Sequence, residues 1–128
     1  MTKLLLLRGL PGSGKSTKAR HFIKDGSYVC HFEADMYHTT REGVYDFSPE
    51  NIAASHEWCQ SKTRKALAAG VDTIVSNTFT QQWELQPYRD MADELGVELI
   101  IKTVKGNYGN IHGCPQASVD AMAKRWED

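Results

Sequence analysis

One stretch near the start of the chain reads Leu4-Leu5-Leu6-Leu7-Arg8-Gly9-Leu10-Pro11-Gly12-Ser13-Gly14-Lys15-Ser16. The four leucines predict a short strand covered on both faces, which is typical of a parallel sheet. From Gly9 to Ser16 the residues match a loop pattern whose backbone N–H groups surround phosphate oxygens. The third glycine of a dinucleotide-binding turn is absent, so the stretch predicts a phosphate-binding loop, or P-loop, that leads into a helix.

The side chains and glycines of this loop have distinct predicted roles. A Cβ at Gly12 or Gly14 would obstruct the approach of a β-phosphate to the backbone N–H groups. The Lys15 ammonium is expected to contact the β- and γ-phosphates of ATP, and the Ser16 hydroxyl is expected to coordinate Mg²⁺. ATP and Mg²⁺ are therefore the expected cofactors, with nucleotide contacts from Gly12, Ser13, Gly14, Lys15, Ser16 and Thr17.

Size and composition limit the class of protein. A chain of 128 residues with 41% hydrophobic content predicts one kinase-like domain over residues 1–128. The formal net charge of −1 excludes a strong global attraction to nucleic acid, although a local basic groove is compatible with it. Cys30, Cys59 and Cys114 form no C-x-x-C pair, so we expect a cytoplasmic protein with no disulfide-linked partner. No apolar run is long enough to predict a membrane span.

Strand and helix patterns alternate along the chain. Alternation of this kind predicts a three-layer α/β fold, with a central, mainly parallel four-stranded sheet flanked by helices. The predicted strands are Lys3 to Arg8, Tyr28 to Glu33, Thr73 to Ser76 and Val97 to Val104. The predicted helices run from Lys15 to Lys24, from Ser48 and Pro49 to Gly70, through Tyr88 and Leu95 to Gly96, and onward from Pro115.

Ligands of such sheets lie at the carboxyl ends of the strands, which is where Asp35, Asn77 and the segment after Val104 are expected. Asp35 follows the second strand and is the predicted base for an attacking hydroxyl and a predicted Mg²⁺ ligand. A helix-capping role for Asp35 remains an alternative, and Glu33 is the reserve carboxylate. The third strand ends in Ser76-Asn77, so the usual Walker B acid is missing there.

Several further segments carry a family resemblance over nearly the whole chain. The sequence resembles the phage-type polynucleotide 5′-hydroxyl kinases and the related P-loop kinase domain of Nedd4-binding protein 2. The P-loop alone is generic, whereas the ordered set of motifs is specific to this branch. The other motifs are Ala34-Asp35-Met36-Tyr37, Gly43-Val44-Tyr45-Asp46-Phe47-Ser48-Pro49, His56-Glu57-Trp58, Asn77-Thr78, Trp83-Glu84 with Pro87-Tyr88, and Asn110-Ile111-His112-Gly113 with Pro115.

The resemblance implies ATP-dependent phosphorylation of a 5′-hydroxyl on DNA or RNA, with Asp35 as the general base. It also implies substrate contacts from His38, Arg41, Asn77 and Thr78. His38 stands where the family often has a cation, and Arg41 is close enough in sequence to supply that charge. The family's arginine pair before the Asn-x-His-Gly element is absent from this chain. Either Lys105 compensates for the missing arginines in nucleotide binding, or catalysis is weak.

Three functions therefore remain open. The first is phosphoryl transfer to a nucleic-acid 5′ end, with a lid over 105–113 that closes on the nucleotide. A kinase for a small metabolite or nucleoside would use the same loop, and only its acceptor pocket would differ. The third is a module that binds ATP with little or no transfer, which the missing lid arginines and the missing Walker B acid favour.

Overall fold

The computed structural model describes residues 1–11, 13–38, 52–105 and 116–128. Strands and helices alternate along these segments, as the sequence pattern predicts. In chain order they are β1 (Lys3–Arg8), α1 (Lys15–Lys24), β2 (Cys30–Phe32), a 3₁₀ helix (Ala34–His38), α2 (Ile52–Ala68), β3 (Thr73–Asn77), α3 (Gln82–Leu95), β4 (Glu98–Thr103) and α4 (Gln116–Lys124).

The four strands form one parallel sheet in the order β2-β3-β1-β4. In register, Leu6 of β1 lies between Val75 of β3 and Ile101 of β4, and Phe32 of β2 pairs with Val75. Because all four strands run the same way, their carboxyl ends lie along one edge of the sheet. The P-loop leaves that edge from a central strand, as the fold prediction requires.

The leucines of β1 cover both faces of the sheet. Leu4 and Leu6 pack in a core with Cys59 of α2 and Tyr88 of α3. Leu5 and Leu7 pack on the opposite face with Ala19 of α1 and other apolar side chains. Alternate residues of a strand point to opposite faces, so four leucines in succession supply two cores. The predicted three-layer α/β architecture is confirmed.

Helix α2 differs from the sequence prediction at its beginning. The predicted start at Ser48 and Pro49 lies outside the described residues. The helical spacing of the sequence predicts Ile52 on one face with Cys59, Thr63 and Leu67, yet 44% of the surface of Ile52 is exposed. The buried stripe instead follows a spacing of four residues and consists of Ser55, Cys59, Thr63 and Leu67. The 3₁₀ helix after β2 has no counterpart among the predicted elements.

The carboxyl-terminal residues return to the P-loop edge of the sheet. The Glu127 amide donates a hydrogen bond of 2.6 Å to the Thr80 carbonyl, just beyond β3. The Arg8 guanidinium, at the end of β1, lies 4.3 Å from the centre of the Trp126 ring. These contacts place the residues after α4 beside the beginning of the loop. Among the described residues, no helix combines the length and the apolar character that crossing a membrane requires.

Candidate functional site

The P-loop begins between the ends of β3 and β4. The Gly9 amide donates to the Thr78 carbonyl at 3.2 Å, and the Val104 amide donates to the Arg8 carbonyl at 2.7 Å. A Cβ on Gly9 would lie 2.6 Å from the Val104 carbonyl oxygen and 2.5 Å from the Ser13 hydroxyl oxygen. Only glycine therefore fits at this position without movement of the neighbouring backbone.

Helix α1 presents its amino terminus to the loop. Gly14 caps the helix in the left-handed conformation, with φ of 96°, which L side chains rarely adopt. Gly14 has no side chain that could cap the first N–H groups of the helix, and the first turn contains no acidic residue. The N–H groups of this turn and the positive end of the helix dipole are thus suited to bind an anion such as a phosphate.

The predicted cationic side chain lies over the loop. The Lys15 ammonium donates a hydrogen bond of 3.0 Å to the Leu10 carbonyl oxygen, so the side chain folds back across the loop. Ser13 is buried, and its hydroxyl oxygen has no hydrogen-bond partner within the described part of the chain. Thr17 is exposed and accepts a hydrogen bond of 3.4 Å from Arg20. Gly12 lies outside the described residues.

The Ser16 hydroxyl belongs to a polar network at the ends of β2 and β3. It donates to the Glu33 carboxylate at 2.5 Å, and the Ser76 hydroxyl donates to the same oxygen, Oε2, at 2.9 Å. The His31 ring, through Nε2, lies 2.5 Å from the Ser76 oxygen. Because the Ser76 proton is already donated to Glu33, His31 Nε2 carries a hydrogen and is the donor in this contact.

Burial and a neighbouring charge shift the pKa of His31 in opposite directions. Burial lowers the pKa of the His31 ring, while the neighbouring Glu33 carboxylate raises it by a smaller amount. The neutral ring is thereby favoured, and Glu33 is left with hydroxyl donors as its close partners. This network was missed at the sequence level, because it depends on the register between β2 and β3. Phe32 pairs with Val75, so Glu33, just after β2, lies beside Ser76 of β3.

The predicted acceptor-side residues lie in the 3₁₀ helix and at the end of β3. The 3₁₀ helix carries Asp35 and His38 at the carboxyl end of β2, on the same edge as the P-loop. Asn77 accepts a hydrogen bond of 2.9 Å from the Ala34 amide through its side-chain oxygen. Asn77 therefore ties the 3₁₀ helix to β3, while a substrate contact from it stays a prediction. Arg41 lies outside the described residues.

A cavity of about 610 Å³ lies beside the P-loop, on the side of β4 and α4. This volume is in the range of small-molecule sites. Lys105, predicted to bind the nucleotide, lies in the cavity wall, as does the Trp126 ring that packs on Arg8. The wall comprises the first loop residues, the end of β4 and the carboxyl-terminal segment, namely Gly9, Leu10, Ser13, Thr103, Val104, Lys105, Ala123, Trp126 and Asp128.

The fold and the loop together define a P-loop protein of the kinase class. The sheet is parallel, the loop joins a central strand to a helix amino terminus, and Lys15 and Ser16 occupy the first turn of that helix. Residues 4–106 match the family model described as an AAA domain, and the chain belongs to this family.

Comparison with known proteins agrees with this assignment. The chain is 29% identical to human NEDD4-binding protein 2 over 134 residues, an alignment that covers 97% of this chain and 8% of that protein. The resemblance expected from the motifs is confirmed. The chain thus spans less than a tenth of the length of this curated relative.

Solved structures share the fold. A chain in the structure of the Pnkp1/Rnl/Hen1 RNA repair complex superposes with a TM-score of 0.74 at 20% identity, covering 97% of this chain and 43% of that one. The APS kinase CysC of Mycobacterium tuberculosis, as its Cys556Ala mutant, superposes with a TM-score of 0.64 at 17% identity, covering 96% and 92%. At these identities the likeness concerns the fold.

Proposed function

We propose that this domain, over residues 1–128, transfers the γ-phosphate of ATP to a nucleic-acid 5′-hydroxyl. The observation that carries the proposal is the arrangement of Lys15 and Ser16 at the amino terminus of α1, facing the edge where the 3₁₀ helix with Asp35 follows β2. Sequence similarity to NEDD4-binding protein 2 along 97% of the chain supports the family-level part of the proposal. The RNA repair complex among the structural relatives supports a nucleic acid as the acceptor.

The residues at the loop fit a magnesium ion. Mg²⁺ prefers oxygen ligands, and the Ser16 hydroxyl oxygen lies 2.5 Å from a carboxylate oxygen of Glu33. In the proposal Ser16 holds the ion, with Asp35 as the second ligand expected from the sequence. When bound, Mg²⁺ offsets the negative charge of the phosphates.

Backbone and side-chain groups of the protein perform the remaining steps in the proposal. The N–H groups at the start of α1 and the Lys15 ammonium bind the phosphate oxygens and orient the terminal phosphate toward the acceptor. Asp35 accepts the proton of the attacking hydroxyl. His38 and Arg41 contact the phosphate of the acceptor strand, and Asn77 and Thr78 complete the acceptor side.

The cavity beside the loop is the proposed site of the adenine base. Its position next to Ser13 and Lys105 lets a nucleotide extend from the loop into it, and Trp126 offers an aromatic wall. Trp126→Leu is expected to weaken ADP binding while leaving pyrophosphate binding unchanged. Trp83→Leu is the matched control, since 69% of Trp83 is exposed. Equal losses for ADP and pyrophosphate would contradict a base site here.

Transfer of labelled γ-phosphate from ATP tests the function. The acceptors are a 5′-hydroxyl oligonucleotide and a panel of nucleosides and sugars, each assayed with wild type, Lys15→Ala and Lys18→Ala. Lys18 lies one turn further along α1 and is exposed, so its variant controls for the loss of a lysine. Label on the oligonucleotide that disappears only in Lys15→Ala is the expected result.

A metabolite kinase is the second candidate, favoured by the fold likeness to an APS kinase. Label confined to a small acceptor would establish that candidate instead. ATP binding without transfer to any acceptor would leave a nucleotide-binding module. Asp35→Asn is expected to abolish transfer with ATP affinity retained. Loss of ATP binding would remove the role of Asp35 as the base and leave it a metal-binding or structural residue.

A further inference from the structure

The end of β3 lacks the acidic residue that P-loop phosphotransferases usually place near Mg²⁺, and the strand ends in Ser76-Asn77 instead. A carboxylate nevertheless reaches this point from the neighbouring strand. We propose that Glu33, at the end of β2, is the metal-positioning acid of this site and replaces the missing acid of β3. The inference rests on the nucleotide-binding part of the proposed function and is independent of the acceptor.

The direction of the strand side chains explains how Glu33 reaches the loop. Ile74 packs in the core on the α1 face of the sheet, and His31 pairs with Ile74 in register. Since side chains on one face recur every two residues, Glu33 and Ser76 also face α1. An acid at either strand end therefore points toward the first turn of α1.

The contacts of Glu33 match a metal-positioning role. Its side chain is 16% exposed, and its Oε2 atom accepts hydrogen bonds of 2.5 Å from Ser16 and 2.9 Å from Ser76. Donation of the Ser16 proton to a carboxylate turns the lone pairs of the hydroxyl oxygen away from Glu33 and increases the electron density on that oxygen. Ser16 is thereby oriented as a ligand, in the way that outer hydrogen-bond partners orient metal ligands.

The same contacts argue against Glu33 as the base for the acceptor. Ser16 and Ser76 both direct protons at its carboxylate, and both belong to the phosphate side of the site. Asp35 lies two residues further, in the 3₁₀ helix, and is left for the acceptor hydroxyl. Glu33 therefore acts through Ser16 as a positioning residue, while Asp35 remains the proposed base and the expected second ligand of Mg²⁺.

Binding of ADP with and without Mg²⁺, measured by titration calorimetry on the full chain, tests this assignment. Wild type is expected to bind ADP more tightly with Mg²⁺ than without it. Glu33→Gln keeps an oxygen acceptor for Ser16 but removes the charge, so it should reduce the Mg²⁺-dependent gain by about 10- to 100-fold. ADP affinity without Mg²⁺ should be unchanged. Glu98→Gln, at an exposed position of β4, is the matched control and should behave as wild type.

Moving the acid between strands provides a rescue. Glu33→Ser should lose the Mg²⁺-dependent gain, and the double variant Glu33→Ser with Ser76→Asp should recover at least a tenfold part of it, because a carboxylate then returns on the same face. A merely structural tie would not be restored in this metal-dependent way.

Three results would overturn the inference. They are an unchanged Mg²⁺ effect in Glu33→Gln, an equal loss of ADP affinity with and without Mg²⁺, and a wild type whose ADP affinity is indifferent to Mg²⁺. Because no acceptor is present, the outcome is separable from the proposed function. A protein that transfers phosphate to nothing yet shows the Glu33 effect would refute transfer and retain the inference.

Discussion

Replacement of Arg8 is expected to detach the carboxyl-terminal segment from the P-loop edge of the sheet. Arg8 is 3% exposed, and its guanidinium donates to the Phe79 carbonyl from Nε at 3.0 Å and from Nη2 at 2.7 Å. Nη2 also lies 3.4 Å from the Thr80 carbonyl and donates to the Glu127 carbonyl. One side chain thus joins the end of β1 to the segment after β3 and to the end of the chain.

The contacts of Arg8 determine how much stability its replacement should cost. Arg8→Met removes a charged donor from three buried or partly buried carbonyl groups, each loss costing about 1 kcal/mol, and a cation–π contact with Trp126 of about 1 kcal/mol. The free energy of unfolding should therefore fall by about 3 to 4 kcal/mol. Arg8→Lys keeps the charge but loses the planar fork, so about half of that loss is expected.

Urea denaturation followed by circular dichroism measures the stability, and amide hydrogen exchange reports on the carboxyl-terminal segment. The Glu127 amide, bonded to Thr80, should exchange faster in both variants. Arg64→Lys is the control, because the Arg64–Glu94 ion pair is solvent-exposed and contributes about 0 to 1 kcal/mol. A loss below about 1 kcal/mol in Arg8→Met, with unaltered exchange at Glu127, would refute the reasoning.

Three further substitutions follow from individual contacts. Gly9→Ala forces a Cβ to within 2.6 Å of the Val104 carbonyl oxygen. Urea denaturation should therefore show a free energy of unfolding lower by about 1 to 3 kcal/mol, and calorimetry should show a weaker affinity for ADP. Wild-type values for both quantities would contradict the close approach. Gly14→Ala places a side chain at φ of 96° and should cost about 1 to 2 kcal/mol, measured by thermal unfolding, and an unchanged midpoint would refute the strain. Tyr88→Phe should leave stability equal or higher by up to about 1 kcal/mol in urea. The Tyr88 hydroxyl is buried, which raises the pKa of the phenol, and only the Cys59 thiol, a weak hydrogen-bonding group, interacts with it in the described segments. A loss above about 1 kcal/mol would show that the interaction with Cys59 is stabilising.

Local patterns predicted most of the elements. β1 and α1 have the predicted bounds, and β3 differs by one residue. These elements are short-range features, since an apolar run, a glycine cap and a helical spacing each act over a few residues. The start of α2 was harder, because Ile52 fits the helical stripe by spacing yet is exposed. Spacing identifies the residues that share a face, and neighbouring segments determine which part of the face is covered.

Part of the candidate site could be predicted from the sequence, and part could not. Lys15 and Ser16 belong to a contiguous motif whose glycines fix the backbone, so their placement follows from sequence. The role of Glu33 did not follow, because its partners Ser16 and Ser76 lie 17 and 43 residues away. The sequence shows that β3 lacks the usual acid. Only the pairing of β2 with β3 shows that Glu33 lies at that place.

The sequence by itself determined a P-loop, a parallel α/β fold and the membership in a kinase-like family, because glycine positions and apolar runs restrict the backbone locally. Tertiary structure alone decided which distant side chains meet. The link from Arg8 to Glu127 spans 119 residues, and the cavity beside the loop is lined in part by Trp126 and Asp128 from the other end of the chain. Such contacts depend on strand order and register, since a shift of one residue would turn Glu33 and Ser76 to the opposite face of the sheet.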